Sequence, residues 1–81
     1  MKITGAYIEI KLQEVQHGYF HADIMVGSHI DWQPLTDKKG IRLKFRNRID
    51  LLNQMEDKGY MMWEIASRFK GNNAVYLFKR K

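Results

Sequence analysis

The alternation of apolar and polar residues along most of this chain is the feature that most limits its fold. In residues 7–12 and 19–26 every second position is apolar, namely Ile8, Ile10, Leu12, Phe20, Ala22, Ile24 and Val26. A period of two places alternate side chains on opposite faces of a β-strand. The pattern therefore predicts a β-hairpin with one apolar face, joined through residues 15–18.

A third strand is expected after Gly27. A two-residue turn would set Asp31 on the apolar face of the hairpin, whereas a three-residue turn pairs Ile24 with Trp32 and keeps the apolar side chains together. We predict the second register. Pro34 then ends this strand or places it at a sheet edge, because proline cannot donate a ladder hydrogen bond.

The period changes from two to about three and a half after residues 41–46, which still alternate as a strand. Asn47 is a good helix N-cap with Asp50 three positions later, and Gly59 suits the position just past a helix end. Apolar residues recur between them at Ile49, Leu52 and Met55. We predict one helix from about residue 48 to 58, which is too short to be stable unless it packs on the sheet.

A final hairpin follows, with strands in residues 60–69 and 74–78. Its last strand is apolar on both faces, so the sequence leaves the register open. Either Val75 and Leu77 or Tyr76 and Phe78 share a face with Trp63. Taken together, the elements predict a single α+β domain spanning 1–81, with an antiparallel sheet of five or six strands and one short helix packed on one face.

Residues 51–60, which read LLNQMEDKGY, and the ending YLFKRK at residues 76–81 resemble the small bacterial domains grouped as domain-of-unknown-function family 4177. The resemblance covers the C-terminal helix and hairpin only. Tyr60 stands where the family usually has tryptophan, and Met61 stands where it has glutamate. The resemblance implies a helix-and-hairpin fold and carries over no activity or catalytic residue.

The residue content argues against several classes of function. The 81 residues include no cysteine, which fits a reducing compartment, and Glu9, Lys11 and Glu14 interrupt any signal-like apolar run. No apolar stretch is long enough for a membrane span, so we expect a cytoplasmic protein. Ser28 and Ser67 are the only serines, and no phosphate-binding glycine loop or nucleophile motif occurs. We expect a protein that is not an enzyme and has no identified small-molecule substrate, although unfamiliar chemistry remains a third reading.

Histidines and aspartates in residues 17–31 are the one cluster that resembles a metal site. They are His17, His21, Asp23, His29 and Asp31. In the predicted register His29 lies in a turn and His17 in a loop, so too few ligands converge for a divalent ion. We therefore predict neither a metal nor a cofactor.

The formal charge of +5 is distributed unevenly. Residues 1–35 carry a net charge of −2 and residues 36–81 a net charge of +7, with six bases between Lys38 and Arg48. Such a cluster attracts phosphates. It equally well protects an exposed strand from pairing with other molecules.

The sheet face opposite the helix is the predicted functional surface. One short helix covers one face, which leaves Tyr7, Tyr19, Met25, Met62, Ala66 and either Tyr76 with Phe78 or Val75 with Leu77 on the other. Aromatic residues and methionine are enriched where proteins meet. The first hypothesis is a non-enzymatic interaction module that forms a homodimer through this face, with candidate interface residues Tyr7, Tyr19, Met25, Met62, Tyr76 and Phe78. The alternative is that the N-terminal strands fold over the face as a second layer.

Nucleic-acid binding is the second functional hypothesis. It depends on a register that places aromatic rings among basic side chains on an open sheet, where single-stranded nucleic acid could stack and be neutralised. The candidate residues are Arg42, Lys44, Arg46, Arg68, Tyr76 and Phe78.

Overall fold

In a computed structural model, five antiparallel strands and one helix make up the fold. The structure describes residues 3, 5–16, 18–27, 31–68 and 73–81, and at 66–68 it describes only the backbone. The elements are β1 (Tyr7–Gln16), β2 (Tyr19–Met25), β3 (Gln33–Pro34), α1 (Arg48–Asp57), β4 (Tyr60–Arg68) and β5 (Ala74–Arg80). The predicted α+β class and antiparallel sheet are confirmed. No helix within the described ranges is long and apolar enough to cross a membrane.

The strand order is β3-β2-β1-β5-β4, which places β1 at the centre of the sheet. The last strand in the sequence, β5, is an interior strand between β1 and β4. As an interior strand β5 has no free edge, and it is buried on both faces at Val75 and Tyr76. Pro34 lies in the edge strand β3, as its missing N–H requires.

The first hairpin forms as predicted, with Ile10 opposite Ile24. The third strand is shifted by one residue from the prediction, because Ile24 pairs with Gln33 rather than with Trp32. The observed register turns Leu35 into the core, where it is 1% exposed and its N–H donates to the Ala22 carbonyl at 2.9 Å. In the predicted register Leu35 would have faced the opposite side of the sheet.

The strand predicted over residues 41–46 is reduced to two isolated bridges, Phe20 with Phe45 and Thr36 with Arg42. Phe20 and Phe45 exchange backbone hydrogen bonds of 2.7 and 3.0 Å, and Phe45 is buried. The predicted alternation is thus correct only in part, because Phe45 is buried and Leu43 packs against the core but Ile41 is 63% exposed.

Helix α1 ends one residue before the predicted boundary. Asn47 caps its start, since Asn47 Oδ1 accepts the Asp50 N–H at 2.9 Å. Gly59 follows the C-cap with φ of +89°, in the left-handed region that favours glycine. Leu51 and Met55 are fully buried, so this face of the helix closes the apolar face of the sheet.

Two β-bulges in β4 decide the register of the final hairpin. Met62 pairs with Phe78, but after a first bulge Ile65 pairs with Tyr76, so neither of the two uniform registers considered from the sequence holds throughout. Tyr76 pairs with Ile10 on its other side, and Phe78 with Ile8. Both aromatic rings consequently face the helix.

One hydrophobic core lies between the sheet and the helix. Its buried members are Ile8, Ile10, Leu12, Phe20, Ala22, Ile24, Val26, Leu35, Phe45, Leu51, Met55, Tyr60, Ala74, Tyr76 and Phe78. The other side of the sheet has no helix on it in the described part of the chain. We call that side the open face.

Candidate interaction surface

The open face carries the side chains that alternate with the core positions. They are Tyr7, Glu9, Lys11 and Gln13 of β1, Tyr19, His21, Asp23 and Met25 of β2, Val75, Leu77 and Lys79 of β5, and Met61, Trp63 and Glu64 of β4. Trp63 lies two residues after Met61 and so faces this side, where Lys79 contacts it, and the bulge between Met62 and Glu64 places Glu64 on the same side. The segment before α1 adds Trp32, Arg42 and Lys44, which contact residues of the open face.

Apolar side chains are concentrated towards the end of the open face that holds the start of β1 and the end of β5. Tyr7 is 53% exposed, Met61 45% and Trp63 55%. Beside them, Met25 and Leu77 flank Glu9 across the sheet and line a shallow depression of about 230 Å³. Exposed aromatic and methionine side chains around one carboxylate are typical of a contact surface.

Three lysines lie over three aromatic rings on this side of the sheet. Their ammonium-to-centroid distances are 4.8 Å for Lys11 over Trp32, 5.1 Å for Lys44 over Tyr19 and 4.6 Å for Lys79 over Trp63. Each contact orients a long side chain that would otherwise be free, and each is worth about 0.5–1 kcal/mol at an exposed site. The open face is therefore partly preorganised.

An ion pair ties the segment before the helix to β2, because Arg42 Nη2 lies 2.8 Å from Asp23 Oδ1. His21 is next to this pair and packs edge-on against Tyr19, with ring centroids 5.6 Å apart. Burial lowers the pKa of the His21 imidazole. The cations of Arg42 and Lys44 lower it further, against the opposing effect of Asp23. His21 is therefore held in its neutral form to lower pH than an ordinary histidine.

The charges of the open face nearly balance. Its cations are Lys11, Arg42, Lys44 and Lys79, and its anions are Glu9, Asp23 and Glu64. This leaves a formal charge of +1, against +5 for the chain. The basic excess of the chain consequently lies mainly elsewhere.

Three of the six predicted interface residues lie on the open face, namely Tyr7, Tyr19 and Met25. Tyr76 and Phe78 do not, because they are 4% and 0% exposed in the core, and their predicted place in an interface is corrected. Met62 pairs with Phe78 and also faces the helix side, although it is 38% exposed. The sequence alternative with Val75 and Leu77 opposite the helix is the one observed.

The residues predicted for nucleic-acid binding are not brought together as expected. Arg42 and Lys44 contact the open face, whereas Arg46 is exposed at the start of the helix and its N–H donates to Asp50 Oδ2 at 3.0 Å. The Arg68 backbone pairs with Ala74, and its side chain is outside the described part. With Tyr76 and Phe78 buried, the aromatic component of this site has to come from other rings.

Two aromatic residues missed by the sequence reasoning complete the surface. Trp63 was expected on the side of Ile65, but a bulge separates them, and Trp32 was expected in a strand facing the core. A bulge leaves no mark in the alternation pattern. Lys11, Lys44 and Lys79 are far apart in the sequence, and only the fold places each of them over a ring.

The residues described in the structure include no group of three or more histidines and carboxylates that could hold a metal ion. Of the sequence cluster, His17 and His29 lie outside the described residues. His21 and Asp23 share the open face, where Asp23 pairs with Arg42.

Comparison with protein-family models, with curated proteins and with solved structures finds no match to this chain. The resemblance of the C-terminal third to family 4177 therefore stays a prediction.

Proposed function

We propose that this protein is a non-enzymatic interaction module that forms a two-fold homodimer through the open face. The observation that carries the proposal is the exposure of Tyr7, Met61 and Trp63 on a sheet side that no helix covers in the described chain. Sheets commonly pack face to face about 10 Å apart, and a second copy supplies a matching sheet.

The charges of the central strand fit such a dimer. Glu9 and Lys11 project from the open face of β1, two residues apart on either side of Ile10. A two-fold axis passing near Ile10, perpendicular to β1 and parallel to the sheet, would set Glu9 of each copy opposite Lys11 of the other. Both charges would then be paired when the interface excludes water, which offsets the cost of burying them.

Sedimentation velocity from low to high micromolar concentration, combined with charge exchange, tests the dimer. We expect the wild type to shift from monomer to dimer, and Glu9→Lys and Lys11→Glu each to weaken association about tenfold or more, because like charges then face each other. The double variant E9K/K11E should recover most of the lost association. Lys58→Glu, at the exposed end of α1, is the matched control and should leave association unchanged.

Two results would reject the proposed dimer. One is a wild type that stays monomeric over the whole concentration range. The other is a pair of single variants, folded by circular dichroism, that associate as well as the wild type does. A loss of association in both singles that the double variant fails to recover would reject the antiparallel arrangement of β1 but keep the open face as the interface.

A second candidate function is single-stranded nucleic-acid binding on the same face, and the three lysine–aromatic contacts favour it. Bases stack on exposed rings while lysines neutralise phosphates, and Trp63 with Lys79 offers both groups together. The carboxylates of Glu9 and Glu64 oppose it, since they repel phosphate.

Titration of a labelled oligonucleotide at low salt tests this candidate. Binding that falls with added salt, and that Trp63→Ala weakens by about tenfold, would support it. Ile49→Ala, an exposed apolar position on the helix, is the control. No binding at low salt would exclude nucleic acid and leave the dimer proposal untouched.

A further inference from the structure

A groove runs between the first turns of α1 and strand β4, on the side of the sheet opposite the open face. Its volume is about 310 Å³, and it is lined by Arg48, Ile49, Leu52, Met62, Ile65 and Tyr76. This volume is at the lower end of the range of small-molecule sites. Five of the six lining side chains are apolar or aromatic.

Two polar groups in the groove have no partner within the described ranges. Arg48 is exposed, and no carboxylate or carbonyl oxygen there accepts from its guanidinium. Tyr76 is only 4% exposed, yet its hydroxyl neither donates nor accepts a hydrogen bond there. A hydroxyl in so little exposed a residue is usually satisfied by the protein, by water or by a bound group, and here the groove is the place from which a ligand can reach it.

Exposed apolar side chains surround these polar groups. Ile49 is 54% exposed and Met62 is 38% exposed, although both lie beside the core. The bulge between Met62 and Glu64 places both Met62 and Ile65 on the helix side, since Met62 pairs with Phe78 and Ile65 with Tyr76. The groove therefore combines apolar walls with a cation and a hydroxyl that have no partner among the described residues.

We infer that this groove binds a small amphipathic carboxylate, with the carboxylate on Arg48 and the apolar part over Ile49, Leu52, Met62 and Ile65. A planar guanidinium matches a carboxylate with two parallel hydrogen bonds. The Tyr76 hydroxyl donates to the same ligand from the floor of the groove. Because the open face is on the other side of the sheet, this site is independent of the dimer.

Octanoate and its neutral isostere octanamide are the probes, followed through the methyl signals of isoleucine, leucine and methionine in NMR spectra. We expect saturable shifts at Ile49, Leu52, Met62 and Ile65 with octanoate, and none at Met25 on the open face. Octanamide should bind about tenfold more weakly, because the charge-assisted hydrogen bonds are lost.

Three variants locate the contacts. Arg48→Gln should weaken octanoate about tenfold and abolish the preference over octanamide. Lys58→Gln removes the same charge at the far end of the helix, about 15 Å away, and should leave binding unchanged. Tyr76→Phe keeps the ring and should weaken both probes severalfold, because only the hydroxyl is removed.

Each alternative outcome would overturn a stated part of the inference. The absence of saturable shifts at the groove methyls would refute the site. Equal affinity for octanamide, or an equal loss in Arg48→Gln and Lys58→Gln, would refute recognition of the carboxylate by Arg48. An unchanged affinity in Tyr76→Phe would refute the part assigned to the buried hydroxyl.

Discussion

The hydroxyl of Tyr60 donates a 2.7 Å hydrogen bond to the carbonyl oxygen of Gly5, and Arg80 Nη2 donates to the same hydroxyl at 3.0 Å. Tyr60 is 2% exposed, so these bonds join three distant parts of the chain in a place with little water. Tyr60→Phe should therefore lower the free energy of unfolding by about 1–3 kcal/mol in a urea titration. Tyr7→Phe, which removes an exposed hydroxyl with no described partner, should change it by less than about 0.5 kcal/mol. Equal effects of the two variants would show that the Gly5 contact does not stabilise the fold.

The N-cap of α1 gives the second prediction. Asn47→Ala removes the acceptor of the Asp50 N–H and should cost about 1 kcal/mol of stability. Asn53→Ala makes the same chemical change at an exposed position inside the helix, where alanine is favoured by up to about 0.7 kcal/mol. Thermal unfolding of both variants should thus give shifts of opposite sign. A stabilised Asn47→Ala would rule out the cap.

The end of α1 gives the third prediction. A Cβ at Gly59 would meet nothing within 4 Å, so its positive φ alone makes alanine unfavourable there, by about 1–2 kcal/mol. Gly27 is equally open but has no positive φ, so Gly27→Ala should be neutral or stabilising by about 0.4–1 kcal/mol. Chemical denaturation of the two variants checks this difference. Similar losses in both would contradict the left-handed conformation at Gly59.

His21 should make stability depend on pH. Because burial and the neighbouring cations lower its pKa in the folded chain, the unfolded chain binds more protons between that lowered value and the ordinary pKa of about 6.5. Stability therefore rises with pH through this window and is lost as pH falls below the unfolded pKa. We expect His21→Gln to flatten the dependence of unfolding free energy on pH relative to wild type. Parallel curves for the two proteins would show that His21 titrates normally in the folded state.

The sequence predicted the elements formed by neighbouring residues. The hairpin of β1 and β2 follows from strict alternation, and the helix follows from Asn47, Gly59 and the change of period between them. These signals are local, so they can be recognised without knowledge of the rest of the fold. The one-residue error at β3 arose because the prediction matched Trp32 to the apolar face and gave no weight to Leu35 after the proline.

The candidate surface was predictable only in part, because it depends on pairing between distant strands. Alternation in β5 cannot distinguish Tyr76 from Leu77, since both neighbours are apolar. Pairing of β5 with β1 resolves the choice by stacking Tyr76 and Phe78 on the same side as Ile10 and Ile8. The first bulge in β4 then puts Trp63 and Ile65 on opposite sides of the sheet, and nothing in the residue types marks it.

The central position of β1 also has a consequence for synthesis on the ribosome. One edge of β1 pairs with β2, which follows it directly in the sequence. The other edge pairs with β5, so Tyr7 has no strand partner until Lys79 has been synthesised. Until then the nascent hairpin exposes an unpaired central edge and the uncovered side chains of Ile8 and Ile10, which favours aggregation or capture by chaperones. The sheet can close only after β5 has left the ribosome, and the first hairpin is open to wrong contacts until then.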